Sequence, residues 1–94
     1  MFDQLKNLNQ LRTQANHLKK TLAAETIIGE AVRGMVKITM NGNQEIQEVH
    51  LDSSLLTPEN QEQLQNAIKE AFERCTKELK SLMIQKMQSG EIQM

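Results

Sequence analysis

The residues of this chain that could support catalysis are few and widely spaced. Two histidines, His17 and His50, and a single cysteine, Cys75, are the candidates for a base, a nucleophile or a metal ligand. Their spacing does not fit a zinc site, and no activating base is indicated for the cysteine. Three acidic residues fit a solvated sheet face better than an acid–base pair or metal site: Glu45, Glu48 and Asp52. We therefore predict no enzyme, no metal and no cofactor.

The basic residues are more informative because they are unevenly distributed. Residues 1–24 and 74–86 each carry four cations against one anion, whereas residues 25–73 carry three cations against nine anions. The cations of the two outer segments are candidates for phosphate contacts: Lys6, Arg12, Lys19, Lys20, Arg74, Lys77, Lys80 and Lys86. Solvated helix faces are the alternative explanation. With only two aromatic residues, stacking on single-stranded bases is not expected, so nucleic acid would be bound through its backbone.

The elements that must position these cations follow from the hydrophobic pattern, and the clearest element is a strand. Val36, Ile38 and Met40 alternate with polar residues, as in a strand with one buried face. Asn41–Gly42 follows directly, and both residues tolerate the positive φ that a tight hairpin turn requires. Residues 26–32 are predicted to form an earlier strand.

A third strand follows the hairpin and has an irregular pattern. Val49 and Leu51 alternate, but Ile46 is out of phase with them. Either a bulge lies near Gln47, or Ile46 faces the other side of the sheet. Residues 25–52 are therefore predicted to form a three-stranded antiparallel meander.

Helices are predicted on both sides of the meander, at residues 1–24 and 57–88, with a frayed tail at 89–94. The first has an apolar seam with coiled-coil spacing: Leu8, Leu11, Ala15, Leu18 and Leu22. The second begins with Thr57 as N-cap and Pro58 in the first turn, and at about 46 Å it would overhang the sheet. We therefore predict one α+β domain, residues 1–94, that forms a homodimer with protruding helical arms. The expected interface residues are Val36, Ile38, Met40, Phe72 and Leu79.

Targeting signals are not visible in the sequence. The chain has no apolar run near the 18 or so residues that span a bilayer, and no basic segment followed by an apolar one at its start. We therefore expect a cytoplasmic protein with no membrane contact.

Two stretches of the sequence resemble the YbaB/EbfC family of bacterial nucleoid-associated proteins. Residues 34–42, Gly-Met-Val-Lys-Ile-Thr-Met-Asn-Gly, are similar to the family signature Gly-apolar-Val-x-Val-x-x-Asn-Gly. Residues 49–56, Val-His-Leu-Asp-Ser-Ser-Leu-Leu, are similar to its following stretch, apolar-x-Ile-Asp-x-Ser-Leu-Leu. The resemblance extends over nearly the whole chain. It departs from the family at residues 30–33, where many relatives have more glycine, and at the end of the chain, where relatives often carry a longer tail with proline.

The resemblance implies a small α/β homodimer without enzymatic activity or cofactor, whose sheets form the dimer core and whose helices project like tweezers. It also implies binding to double-stranded DNA, location in the nucleoid and a role in regulating gene expression. The alternative is a structural adaptor that binds a partner protein through its apolar helix stripes. Salt dependence distinguishes the two, because contacts with phosphates weaken steeply as salt rises and apolar contacts do not.

Overall fold

In the computed structural model, a three-stranded antiparallel sheet lies between two long helices in the order of the chain. The structure describes residues 2–90, and it describes side chains from residue 7 onwards. The elements are α1 (Phe2–Ala23), β1 (Thr26–Ala31), β2 (Val36–Asn41), β3 (Ile46–Leu51), two 3₁₀ turns (Ser53–Leu55 and Pro58–Asn60) and α2 (Gln61–Gln88). The predicted α+β fold with its helix–meander–helix order is confirmed. The second helix begins one turn later than expected, because Pro58 opens a 3₁₀ turn rather than the α-helix.

Helix α2 lies across β1 and β2 and builds the hydrophobic core with them. The strands are ordered β1-β2-β3, and the residues of β1 and β2 that face α2 are buried. The helix meets them with small residues at four-residue spacing, Ala67, Ala71 and Cys75, followed by Leu79. Contact is closest at Gly29, where a Cβ atom would lie 2.1 Å from the carbonyl oxygen of Ala71. We call the sheet and α2 together the body.

The third strand contains a bulge, which was one of the two alternatives that the sequence left open for Ile46. Thr39 pairs with Glu48 and Met40 pairs with Ile46, so Gln47 is an extra residue on β3. Partners across an antiparallel pair share a face, and the bulge therefore returns Ile46 to the face that also carries Val49. That is the face towards α2, yet every residue of β3 before Leu51 is exposed, because α2 covers only the other two strands.

The hairpin between β2 and β3 differs from the prediction in its turn. The loop has four residues, 42–45, and the positive φ falls on Gln44 (φ 63°) rather than on Gly42. The side-chain oxygen of Asn41 holds the loop by accepting hydrogen bonds from the backbone N–H groups of Asn43 and Glu45, at 2.9 and 3.1 Å. Gly42 serves another purpose, which is to let α1 approach: a Cβ atom there would lie 2.7 Å from the carbonyl oxygen of Leu22.

The turn between β1 and β2 places two ordinary residues in the left-handed region. Val32 and Arg33 have φ of 52° and 56°, and Gly34 follows at 83°. The left-handed conformation costs an L-residue about 1–2 kcal/mol. The backbone of this turn is therefore strained at Val32 and Arg33.

Candidate nucleic-acid interface

Helix α1 is joined to the body at its C-terminal end. Residues 7–17 are all exposed, and Leu11 in the apolar seam is 61% exposed. Leu22 in the last turn is buried, and its carbonyl oxygen accepts a hydrogen bond from the backbone N–H of Gly42 at 2.8 Å. Helix α1 therefore presents much of its surface to solvent, including a seam of leucines.

The cations of α1 lie on this exposed surface. Arg12 and Lys19 are seven residues apart and so share one side of the helix, and Lys20 lies beside them. All three are exposed. The side chain of Lys6, a fourth predicted contact, lies outside the described residues. The described part of α1 thus offers three accessible cations.

The four predicted cations of α2 divide into two kinds. Lys77 and Lys80 are exposed, and like the three cations of α1 they form no salt bridge among the residues that the structure describes. Arg74 instead contacts its own chain: its Nη2 lies 2.7 Å from Oε1 of Glu70, and its Nη1 donates to the carbonyl oxygen of Glu30 at 2.7 Å.

Lys86 differs most from its predicted role. Its side chain is 10% exposed, and its Nζ lies 2.6 Å from Oε1 of Glu25, in the link between α1 and β1. A phosphate contact needs an accessible ammonium group, whereas this one is directed into the structure. The sequence indicated a cation in the last turn of the helix but not the carboxylate that it binds.

The predicted dimer-interface residues lie mostly inside the single chain. Val36, Ile38 and Met40 are 3% exposed or less, and Leu79 is also buried, because α2 packs on the sheet. These four side chains stabilise the chain's own core and are not on its surface. Phe72 is the exception, at 45% exposed.

Phe72 belongs to an apolar surface whose other residues were not predicted to lie in an interface. Arg74 reaches the β1 edge, and Phe72, two residues earlier, points about 160° away on the helix, towards β3. Ile68 lies one turn before it, and the uncovered face of β3 presents Ile46 and Val49 to the same side. We call these four residues the apolar flank. The out-of-phase Ile46 was the one sequence signal for it.

The groups considered for catalysis are not brought together. Cys75 is fully buried in the core, where its Sγ donates to the carbonyl oxygen of Ile38 at 3.5 Å and burial raises the pKa of the thiol. His17 and His50 are exposed on different elements. Asp52 caps a 3₁₀ turn by accepting hydrogen bonds from the hydroxyl and N–H of Ser54, and these lower the pKa of its carboxyl group. Among the described side chains, no three acidic, histidine or cysteine residues are grouped for a metal.

Three acidic residues form a separate surface near the start of α2. An open groove of about 530 Å³ is lined there by Glu59, Glu62 and Glu70, together with Val32. This groove is unsuited to a phosphate backbone, because like charges repel. Within the described ranges, no helix is both long and apolar enough to cross a membrane.

Comparison with known proteins places this helix–meander–helix chain in a class of DNA-binding proteins. The YbaB/EbfC DNA-binding family matches residues 1–93. The chain belongs to this family.

Relatives in the family carry a consistent description. A nucleoid-associated protein of Corynebacterium urealyticum is 33% identical over 88 residues, covering 86% of this chain and 84% of the relative. A nucleoid-associated protein of Persephonella marina is 41% identical over 69 residues, covering 73% of this chain and 63% of the relative. The crystal structure of an uncharacterized protein from Helicobacter pylori has the same fold, with a TM-score of 0.64 at 22% identity, covering 93% and 97% of the two chains.

Proposed function

We propose that this protein binds double-stranded DNA as a homodimer, through accessible cations on its two helices. The observation that carries the proposal is the exposure of α1, whose cations Arg12, Lys19 and Lys20 are accessible and form no salt bridge among the described residues. Its relatives are named nucleoid-associated proteins, and we extend that location to this chain. Organisation of the nucleoid and regulation of gene expression would follow from such binding.

The mechanism is electrostatic. Each Lys or Arg that neutralises a phosphate releases condensed counterions, and the gain in entropy drives association. Among the described side chains, five of the predicted cations are accessible and form no salt bridge: Arg12, Lys19, Lys20, Lys77 and Lys80. Because these groups contact the backbone rather than base edges, sequence preference would be weak and salt dependence steep.

The second copy is proposed to cover the apolar flank. Phe72, Ile46 and Val49 are each about half exposed, and such a cluster on a small protein marks a surface that another protein covers. A two-fold dimer joined there would double the number of cations and present two α1 helices to one duplex.

The direct test of DNA binding is fluorescence anisotropy of a labelled duplex titrated with the protein at about 50 and 200 mM salt. If the protein contacts several phosphates, its affinity should fall by orders of magnitude as salt rises between these concentrations. Absence of binding at low salt would contradict the proposal. Binding that ignores salt would favour the structural adaptor, for which the exposed Leu8 and Leu11 of the α1 seam are the specific support.

Matched variants test whether the accessible cations are responsible. Lys19→Gln should weaken binding to all duplexes alike and reduce the slope of log affinity against log salt by about one for each lost contact. Lys69→Gln is the control, because Lys69 is also exposed but lies among acidic residues in the first half of α2. Equal losses from the two variants would show that net charge, rather than position, decides binding.

The dimer is tested by sedimentation. Phe72→Glu places a charge in the apolar flank and should shift the protein to monomer at micromolar concentration. Ile84→Glu is the matched control, because Ile84 is also exposed on α2 but lies on the side of the helix away from the sheet. A wild-type protein that sediments as a monomer would rule out the proposed dimer.

A further inference from the structure

The end of α1 is fixed to the body by a set of specific contacts. Asn43 donates a side-chain hydrogen bond to the carbonyl oxygen of Lys19 at 2.9 Å, and the Gly42 N–H donates to the carbonyl oxygen of Leu22. Glu25 then pairs with Lys86 in the last turns of α2. We call these five residues the anchor: Leu22, Glu25, Gly42, Asn43 and Lys86. It links α1 both to the β2–β3 loop and to α2.

We propose that the anchor positions the cations of α1 for DNA, and that Lys86 acts on binding through α1 rather than by touching phosphate. This inference rests on the proposed DNA-binding function. Lys86 suits the role because its ammonium group is largely buried and bound to a carboxylate from the link that follows α1. It is therefore a positioning residue.

Geometry makes the direction of α1 sensitive to the anchor. Arg12 is ten residues from Leu22, about 15 Å along the helix axis. A rotation of about 10° at the anchor would displace Arg12 by about 3 Å, which is the length of a hydrogen bond. The exposed residues 7–17 have few neighbours in the chain to correct such a rotation.

A fixed helix also lowers the entropic cost of binding. A helix that swings freely must be ordered when it docks on DNA, and that loss of freedom is subtracted from the interaction free energy. The anchor orders α1 before DNA arrives. Loosening it should therefore weaken binding without removing any phosphate contact.

The test uses a variant that opens the anchor while keeping the net charge. Glu25→Ala combined with Lys86→Met removes one anion and one cation and leaves no hydrogen-bonding pair. The control, Glu78→Ala combined with Lys80→Met, makes the same charge change at two exposed residues of α2. Circular dichroism checks that both variants fold. If the test variant does not fold, Asn43→Ala serves instead, since it removes the anchor's hydrogen bond to the carbonyl oxygen of Lys19 and leaves the net charge unchanged.

Two readouts separate positioning from contact. The first is the distance between spin labels at Gln14→Cys on α1 and Gln65→Cys on α2, two exposed positions, with labelled protein diluted in excess unlabelled protein. The second is the salt slope of duplex binding. The test variant should broaden the distance distribution and weaken binding several-fold at an unchanged slope. The control should keep the distance and lose about 0.9 of slope per contact.

Three results would overturn the positioning role. An unchanged distance distribution in the test variant would show that the pair does not hold α1. A lower salt slope with an unchanged distance would make Lys86 a direct phosphate contact. A broader distribution with unchanged affinity would show that binding does not depend on the direction of α1. Failure of the proposed function itself appears separately, as a wild-type protein that does not bind the duplex.

Discussion

Helices α1 and α2 have a similar apolar periodicity, but most of the apolar face of α1 is exposed and that of α2 is largely buried. Helix α2 lies along the sheet and buries Ala67, Ala71 and Cys75 against it, whereas α1 is joined to the body at one end and exposes its seam. Small residues allow α2 to approach the sheet closely, where Gly29 receives it. Leu8 and Leu11 of α1 have no such surface within the described chain. Periodicity shows that a helix has a face to bury, and the size of the residues on that face decides how closely a sheet can approach it.

The strongest test of this contrast is to block the approach of α2. Gly29→Val would place a Cβ atom within 2.1 Å of the backbone oxygen of Ala71, and a backbone atom cannot rotate away. We expect a loss of about 3 kcal/mol or more in the free energy of unfolding, or failure to fold. Urea denaturation followed by circular dichroism measures it. Ile28→Val, on the other face of the same strand, should stay within about 0.5 kcal/mol of wild type. Equal effects would mean that close packing at Gly29 is unimportant.

A second test compares one leucine from each helix. Leu79→Ala removes a buried side chain from the core and should cost about 2–5 kcal/mol. Leu11→Ala removes an exposed one and should cost about 0.5 kcal/mol or less. Denaturation at several protein concentrations is the measurement. A large loss for Leu11→Ala that grows with protein concentration would show that a second copy covers the α1 seam, because such coupling follows mass action.

A third test concerns backbone strain in the turn between β1 and β2 of the body. The described residues of α1 have no such strain. Arg33→Gly should raise the free energy of unfolding by about 1 kcal/mol, because glycine adopts a φ of 56° without a steric penalty. Arg33→Ala is the control, since it removes the same side chain but keeps the strained Cβ. Thermal denaturation compares them. Equal stabilisation by both variants would assign the effect to the charge of Arg33 instead of its backbone.

The smallest expected effect is a pH dependence of stability that comes from Asp52, at the start of the first 3₁₀ turn. Hydrogen bonds from Ser54 lower the pKa of the Asp52 carboxyl group from its usual 3.8. A group with a lowered pKa in the folded state contributes stability above its unfolded pKa and loses it as pH falls through the folded value. Asp52→Asn should therefore be less stable than wild type near pH 7, with the difference shrinking below about pH 4. Denaturation midpoints across this range measure it, and a difference constant with pH would contradict the assignment.

Much of the fold was predictable because it follows from local patterns. The alternation at Val36, Ile38 and Met40 identified the central strand. The phase of Ile46 left two alternatives, and the pairing of β2 with β3 shows that the bulge is the correct one. The Asn41–Gly42 hairpin was also correct in place. Its turn type was wrong, because the positive φ falls on Gln44 and not on Gly42. Gly42 instead lets Leu22 approach, and a contact between residues twenty apart is not visible in a local pattern.

The candidate site was less predictable because it depends on what covers each surface. A buried strand face looks the same whether the chain's own helix or a second copy covers it, so Val36, Ile38 and Met40 were predicted for an interface that they do not reach in this chain. Likewise, from sequence alone a lysine in a polar helix is interpreted as a solvated cation. The carboxylate of Glu25, which binds Lys86, is sixty-one residues away in the sequence.

The bulge at Gln47 has one more consequence, which concerns solubility. Strand β3 is an edge of the sheet, and an unpaired strand edge is a template on which other chains add strands and aggregate. A bulge interrupts the regular spacing of backbone donors and acceptors that such addition needs, and the charge of Glu48 stands beside it. On the opposite edge, Arg74 occupies the carbonyl oxygen of Glu30 with its own hydrogen bond. Both edges of this small sheet thus carry a feature that opposes uncontrolled growth.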